Sequence, residues 1–238
     1  DTQRVGSLIA PKLLELAGRV VVIDHHRRGA DHIDNPTLHF LEARASSTSE
    51  LVTELLQYFD ANIRPPALVC GTLLAGITID TKHFAFNVGS RTFDAAGYLR
   101  RNGADIAMVK QMFQDDMESF GDVANTVRSA DLLPGSVAIA MVGEDVKNAS
   151  LIAAKAADEL IGIRGIEAAF VLGREESDVS VSGRSLGKVN VQLICEKLGG
   201  GGQLTMAGAQ MKDIELDEAE ALVRGYVEQY MQEVGTEV

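Results

Sequence analysis

The feature that most constrains this chain is the run Val20-Val21-Val22-Ile23, which breaks off into Asp24-His25-His26-Arg27-Arg28-Gly29. Four β-branched residues in succession predict a strand buried on both faces, the pattern of a parallel sheet. Its abrupt polar end predicts where chemistry sits, because ligands of open α/β sheets bind beyond the carboxyl ends of strands. A carboxylate and two imidazoles suit a divalent cation, and the adjoining guanidinium groups suit phosphate. A polar turn that binds nothing is the alternative. Three consecutive candidate ligands directly after a buried strand favour the functional reading.

The neighbouring segments offer partners for that triplet. Leu8, Ile9, Leu13, Leu14 and Leu16 form a helical stripe, so a helix is predicted over 6–17, entered through Ser7 and Pro11 and ended by Gly18. Helix followed by strand places Asp1 and Asp24 at one sheet edge, which makes Asp1 either an ordinary acid or a companion of His25. The chain starts at Asp1 without Met, and a fragment with a strand cut away upstream is expected.

A short strand is predicted over 37–41, and then Ala45-Ser46-Ser47-Thr48-Ser49-Glu50 leads into Leu51, Val52, Leu55 and Leu56 at helical spacing. Ser47 with Glu50 fits a capping box. Capping alone explains Ser47, and a hydroxyl-rich helix start is also a ready anion site. Pro65-Pro66 opens a long apolar segment with Gly71 and Gly76, read as a buried helix packed closely on its neighbours. It ends in Asp80, and an acid closing an apolar helix needs a metal or an ion-pair partner. A metal is the favoured partner, with His83 a weaker candidate.

Helices are predicted over 90–101, 106–114 and 117–132, and Leu133-Pro134-Gly135 reads as a hinge before the pattern restarts. Strands over 137–142, 168–172 and 179–182, with a helix over 151–161, predict a second α/β domain from about residue 131. It carries Arg184-Ser185-Leu186-Gly187 and, after a helix, Gly199-Gly200-Gly201-Gly202-Gln203. Successive glycines let backbone N–H groups turn toward a phosphate. Arg184 is either an ion-pair partner or a phosphate clamp, and this setting favours the clamp. Met206-Ala207-Gly208-Ala209 reads as small-residue packing.

Composition excludes several classes. A net charge of −12 argues against bulk nucleic-acid binding, and no apolar run is long enough for a membrane helix. Cys70 and Cys195 stand apart in apolar surroundings and read as buried free thiols of a reducing compartment.

Taken together, the stretch from Val22 to Gly29, Ala45-Ser46-Ser47-Thr48, Gly89-Ser90-Arg91-Thr92-Phe93-Asp94-Ala95-Ala96 and Arg184-Ser185-Leu186-Gly187 with its glycine run resemble the DHH phosphoesterase superfamily. The likeness covers essentially the whole chain and is greatest to GdpP-type cyclic-di-AMP phosphodiesterases. It implies an α/β fold, with a parallel-sheet DHH domain over 1–130 that lacks its first motif and a smaller glycine-rich, nucleotide-binding domain over 131–238. It implies a bacterial enzyme that hydrolyses cyclic di-AMP to linear pApA with two Mn²⁺ ions. Hydrolysis of pApA or nano-RNA, and a non-catalytic nucleotide-binding module, are the alternatives.

The resemblance also implies residue roles. Asp1, His25 and Asp80 are metal ligands, Asp24 orients an imidazole, and His26 contacts the scissile phosphate. Arg184, Ser185, Gly200, Gly201, Gly202, Gln203 and Ser47 bind substrate. A homodimer is implied, as is a cytoplasmic domain joined to the membrane only through segments outside this chain. Two positions depart from the pattern: Gln203 and Gln3 stand where His is usual. The family's first motif, His-x-x-x-Asp-x-Asp, is absent, so the chain by itself is expected to bind metal incompletely and to turn over slowly.

Overall fold

The computed structural model describes residues 1–28, 31–59 and 64–235; Gly29, at the end of the histidine-bearing stretch, lies outside them. The fold is mixed α/β, and it forms two compact units, Asp1–Gln114 and Asp115–Val238.

In the first unit, the helix predicted over 6–17 is reduced to a 3₁₀ turn, Val5–Ser7, and a single turn, α1 (Leu13–Leu16). Pro11 accounts for the break, since it lacks a donor and disfavours helical backbone at Ala10. Ile9, Leu13 and Leu16 are left exposed. Strand β1 (Val21–Asp24) pairs in parallel with β2 (Leu38–Leu41), Asp24 lying opposite Leu41. Burial along β1 alternates, with Val22 and Asp24 inside and Val21 outside, so the strand is not buried on both faces as predicted. The layer that a full 6–17 helix would supply is not formed.

Helices α2 (Thr48–Phe59), α3 (Ala67–Asp80), α4 (Ser90–Arg101) and α5 (Ile106–Met112) pack together around Cys70, Leu74, Ile77, Ala95, Leu99 and Val109. The two glycines of α3 are explained by close approach. A Cβ at Gly71 would stand 2.2 Å from the Met108 methyl, and one at Gly76 would stand 2.1 Å from Ser49 Oγ. Not all of α3 is covered, however: Leu68, Val69 and Ile79 are exposed.

The second unit opens with α6 (Met117–Arg128), which packs on α7 (Ala149–Ile161). The contact division therefore falls before α6, whereas the predicted boundary near residue 131 falls after it. Strands β3 (Asp131–Leu133), β4 (Val137–Met141), β5 (Ala168–Glu175) and β6 (Asp178–Ser185) are followed by α8 (Val191–Lys197), β7 (Gly201–Gly202), β8 (Met206–Met211) and α9 (Leu216–Gly235). The sheet order is β3-β4-β5-β6-β8-β7, with only β4 and β5 parallel.

Alternation along the strands sorts the two faces by size. Ala138, Ala140 and Ala169 meet the alanines of α7, while Ile139, Phe170, Leu172 and Val181 meet α8 and α9. Leu133-Pro134-Gly135 is the tight β3–β4 hairpin rather than a hinge, with Leu133 opposite Val137 and left-handed backbone at Gly135 and Ser136. No helix among the described residues is long and apolar enough to cross a membrane. Both cysteines are buried and unpaired, and burial pushes the Cys195 thiol up to about 11.

Candidate active site

The carboxyl end of β1 delivers Asp24, His25 and His26 into one cluster. His25 Nδ1 lies 3.3 Å from the Ala45 carbonyl, which accepts only if that nitrogen carries the proton. The lone pair is then on Nε2, the tautomer a metal needs. His25 Nε2 lies 3.7 Å from Asp1 Oδ1 and 3.6 Å from Asp80 Oδ2. Ligand atoms about 2.1 Å from one small divalent ion stand roughly 3.0–3.4 Å apart, so each carboxylate is spaced to share an ion with His25 after slight contraction. Asp1, His25 and His26 each offer an atom within 4.8 Å of the others, whereas Asp80 approaches His25 but stands outside that group.

Asp1 and Asp80 come from opposite directions. The Asp1 nitrogen donates to the Ile23 carbonyl at 3.2 Å, which lays the residue alongside β1, and Thr48 Oγ1 donates to Asp1 Oδ1 at 2.7 Å. Asp80 closes α3. Burial pushes its carboxyl above the usual range, and the two imidazoles pull it partly back. A carboxylate raised in this way is relieved by a cation.

Asp24 is fully buried. Its Oδ1 accepts the His26 amide at 3.1 Å and stands 2.7 Å from His26 Nδ1. Burial alone would raise the Asp24 carboxyl, but the two His26 hydrogen bonds and the imidazole charge outweigh it and hold the carboxyl low. His26 thus keeps Nε2 for an outside group, while His25 and His26 meet edge to face with centroids 4.4 Å apart. Behind them Gln3 is buried and donates from Nε2 to the His26 carbonyl at 3.1 Å.

Ser47 caps α2: its Oγ accepts the Glu50 amide at 3.0 Å, and the side chain is fully buried. The capping box is displaced by one residue, because Glu50 Oε2 accepts from the Ser46 hydroxyl at 2.6 Å and not from Ser47. The Ser47 hydroxyl is therefore engaged as the helix cap. The contacts of Thr48, Gln3 and the Ala45 carbonyl are what sequence reasoning misses, although all three positions stand out there, Ala45 and Thr48 within a motif and Gln3 as a departure from the family pattern.

The predicted residues of the second unit are placed differently from the expectation. Arg184 sits within β6, buried, with Nε donating to Asp158 Oδ1 at 2.6 Å and Nη1 to the Gly183 carbonyl at 3.0 Å. It is an ion-pair partner here, on the face covered by α7. Ser185 is also buried, its Oγ accepting from the Gly187 amide.

The glycine run is not an open nest. Gly200 N donates to the Cys195 carbonyl and Gln203 N to the Met206 carbonyl, while Gly201 and Gly202 form β7 against β8. Close approach requires the glycines: a Cβ at Gly200 would stand 2.1 Å from the Gly208 oxygen, and one at Gly202 would stand 2.4 Å from Met206 oxygen. Gln203 is exposed at the turn.

The model of the DHH family, N-terminal domain, matches residues 2–77, and that of the DHHA1 domain matches residues 135–231. The chain is 43% identical over 98% of its length to the cyclic-di-AMP phosphodiesterase GdpP of Geobacillus thermodenitrificans. It is 42% identical over 97% of its length to the cyclic-di-AMP phosphodiesterase PdeA of Listeria monocytogenes. In each case it spans 35% of the relative, so about a third of those proteins is represented. An exopolyphosphatase-related protein from Bacteroides fragilis shares the fold at a TM-score of 0.85 and 17% identity, covering 97% of this chain and 70% of that one.

Proposed function

The chain belongs to the DHH family, with a DHHA1 domain following its N-terminal domain, and from that premise we propose that it is the catalytic region of a metal-dependent phosphodiesterase that hydrolyses cyclic di-AMP to linear pApA. The observation that carries the reading is the convergence of Asp1 and Asp80 on His25 Nε2. The substrate follows from the activity named for both relatives quoted above.

A donor set of carboxylate oxygens and imidazole, with both thiols buried elsewhere, fits manganese better than zinc. Asp1, His25 and Asp80 would hold the ion. Bound there, it would polarise a phosphoryl oxygen and acidify a bound water, and a second ion would extend both effects. The chain's own residues prepare the rest. Ala45 fixes the His25 tautomer, Thr48 steadies Asp1, and Asp24 locks His26 so that its Nε2 meets the scissile phosphate. Arg184, Ser185, the Gly200–Gly202 backbone and Gln203 bind nucleotide in this proposal; exposure supports Gln203 most directly, and Arg184 would have to share its guanidinium with Asp158. A homodimer and attachment to a membrane through other segments complete the reading.

The test is product chromatography with cyclic di-AMP and pApA side by side, with and without Mn²⁺. With the His-x-x-x-Asp-x-Asp motif supplied upstream, the proposal expects Mn²⁺-dependent conversion of cyclic di-AMP to pApA, abolished by His25→Ala and slow or absent for residues 1–238 alone. Faster consumption of pApA would favour the linear-substrate reading. Binding of both nucleotides without turnover would mark a non-catalytic module.

A further inference from the structure

Apart from the histidine cluster, the first unit holds a cavity of about 470 Å³ whose apolar lining includes Leu74, Phe84, Ala96, Ile106, Val109 and Phe113. That volume lies in the range of small-molecule sites, which pair an apolar lining with a few placed polar groups. The polar lining is sparse: Thr78, His83, Lys110 and Gln114. Thr78 already donates to the Leu74 carbonyl at 2.7 Å, and His83 stands edge-on to Phe113 with centroids 6.1 Å apart. No carboxylate lines the cavity, and Lys110, an exposed residue, makes no ion pair among the described residues, in a chain of net charge −12. An apolar basin with one unpaired ammonium group at its edge is complementary to a molecule with an apolar body and one negative end.

The cavity wall is also strained. Lys82, His83 and Phe84 hold left-handed backbone in succession, at φ 46°, 58° and 64°, just after Asp80. The turn is held by the Thr81 carbonyl, which accepts from Ala85 at 2.8 Å and Phe86 at 2.9 Å. Strain of this kind persists where surrounding structure enforces it, and it gathers at ligand clamps and switch segments. Two of these three residues line the cavity.

We propose that this cavity binds a small amphipathic carboxylate, its apolar body among α3, α4 and α5 and its anionic group at Lys110, and that the left-handed turn links occupancy to the Asp80 end of α3. The binding step does not depend on the catalytic reading.

The test titrates 2-naphthoate and its neutral analogue 2-naphthamide into the protein and reads methyl and amide NMR shifts. Saturable shifts are expected at Ile106 and Val109 methyls and at the amides of residues 80–85. The acid should bind about 5-fold tighter, the upper scale of an exposed ion pair. Lys110→Ala should remove that preference, and Ile106→Glu, at a position already 56% exposed, should weaken the acid more than the amide. Absence of saturable shifts, or a preference that survives Lys110→Ala, would overturn the site. Shifts that track self-association in sedimentation would assign the cavity to a second copy instead, and silence at residues 80–85 would overturn the linkage.

Discussion

Each histidine of the cluster has one ring nitrogen committed to a different acceptor, and that difference separates their roles. His25 is held by a neutral carbonyl and faces two carboxylates, whereas His26 is held by the buried Asp24. Asp24→Asn should therefore reduce turnover about 10–100-fold, the usual cost of losing an orienting partner, while Mn²⁺ affinity measured by titration changes far less. An equal loss in both would make Asp24 a direct ligand. The same variant has a signature in acid. Because the Asp24 carboxyl lies below its ordinary value of 3.8, its contribution to stability is present above that value and disappears as pH falls through the lowered one. The stability gap between wild type and Asp24→Asn in urea should accordingly be full near neutrality and close on the acid side. The triplet and Asp80 were legible because ionisable residues directly after apolar runs are costly unless they are used. What Thr48, Gln3 and Arg184 touch was not, since each acts through a contact made by tertiary packing between distant segments.

Among the elements, the glycine run separates what composition shows from what packing decides. Glycines in a row suggested a phosphate nest, but β7 lies so close to β8 that Cβ atoms are excluded at Gly200 and Gly202, whereas a Cβ at Gly201 meets nothing within 4 Å. Gly200→Ala should cost about 1–3 kcal/mol in thermal or urea denaturation, as overpacking does, and Gly201→Ala should stay within about 0.5 kcal/mol. Equal effects would show that the run is not held by this approach. Helix α8, which precedes it, depends on Asn190, whose side chain accepts the Gln192 amide at 3.1 Å. Asn190→Ala should therefore destabilise the second unit by about 1 kcal/mol in the same assay. A helix with a clear cap and stripe, such as α2, could be read from sequence. The 6–17 stripe misled because Pro11 breaks it, and β8 was missed because Met206-Ala207-Gly208-Ala209 has no alternation to mark a strand placed inside the sheet.

For the whole molecule, the mixed α/β class and the order of a DHH domain before a DHHA1 domain were legible, since both rest on periodicity and on motifs spread along the chain. The sheet order of the second unit was not, because its strands β6, β8 and β7 are joined by pairing rather than by sequence order. A net charge of −12 leaves recognition to local groups, so a labelled 30-base-pair duplex should show no saturable anisotropy change at physiological salt. Whether Asp1, His25 and Asp80 hold one metal ion is decided by anomalous diffraction at the manganese edge from Mn²⁺-soaked crystals. A peak is expected within about 2.5 Å of His25 Nε2 and of both carboxylates. A peak that lies farther than that from all three, or crystals saturated with Mn²⁺ that show none there, would contradict that expectation.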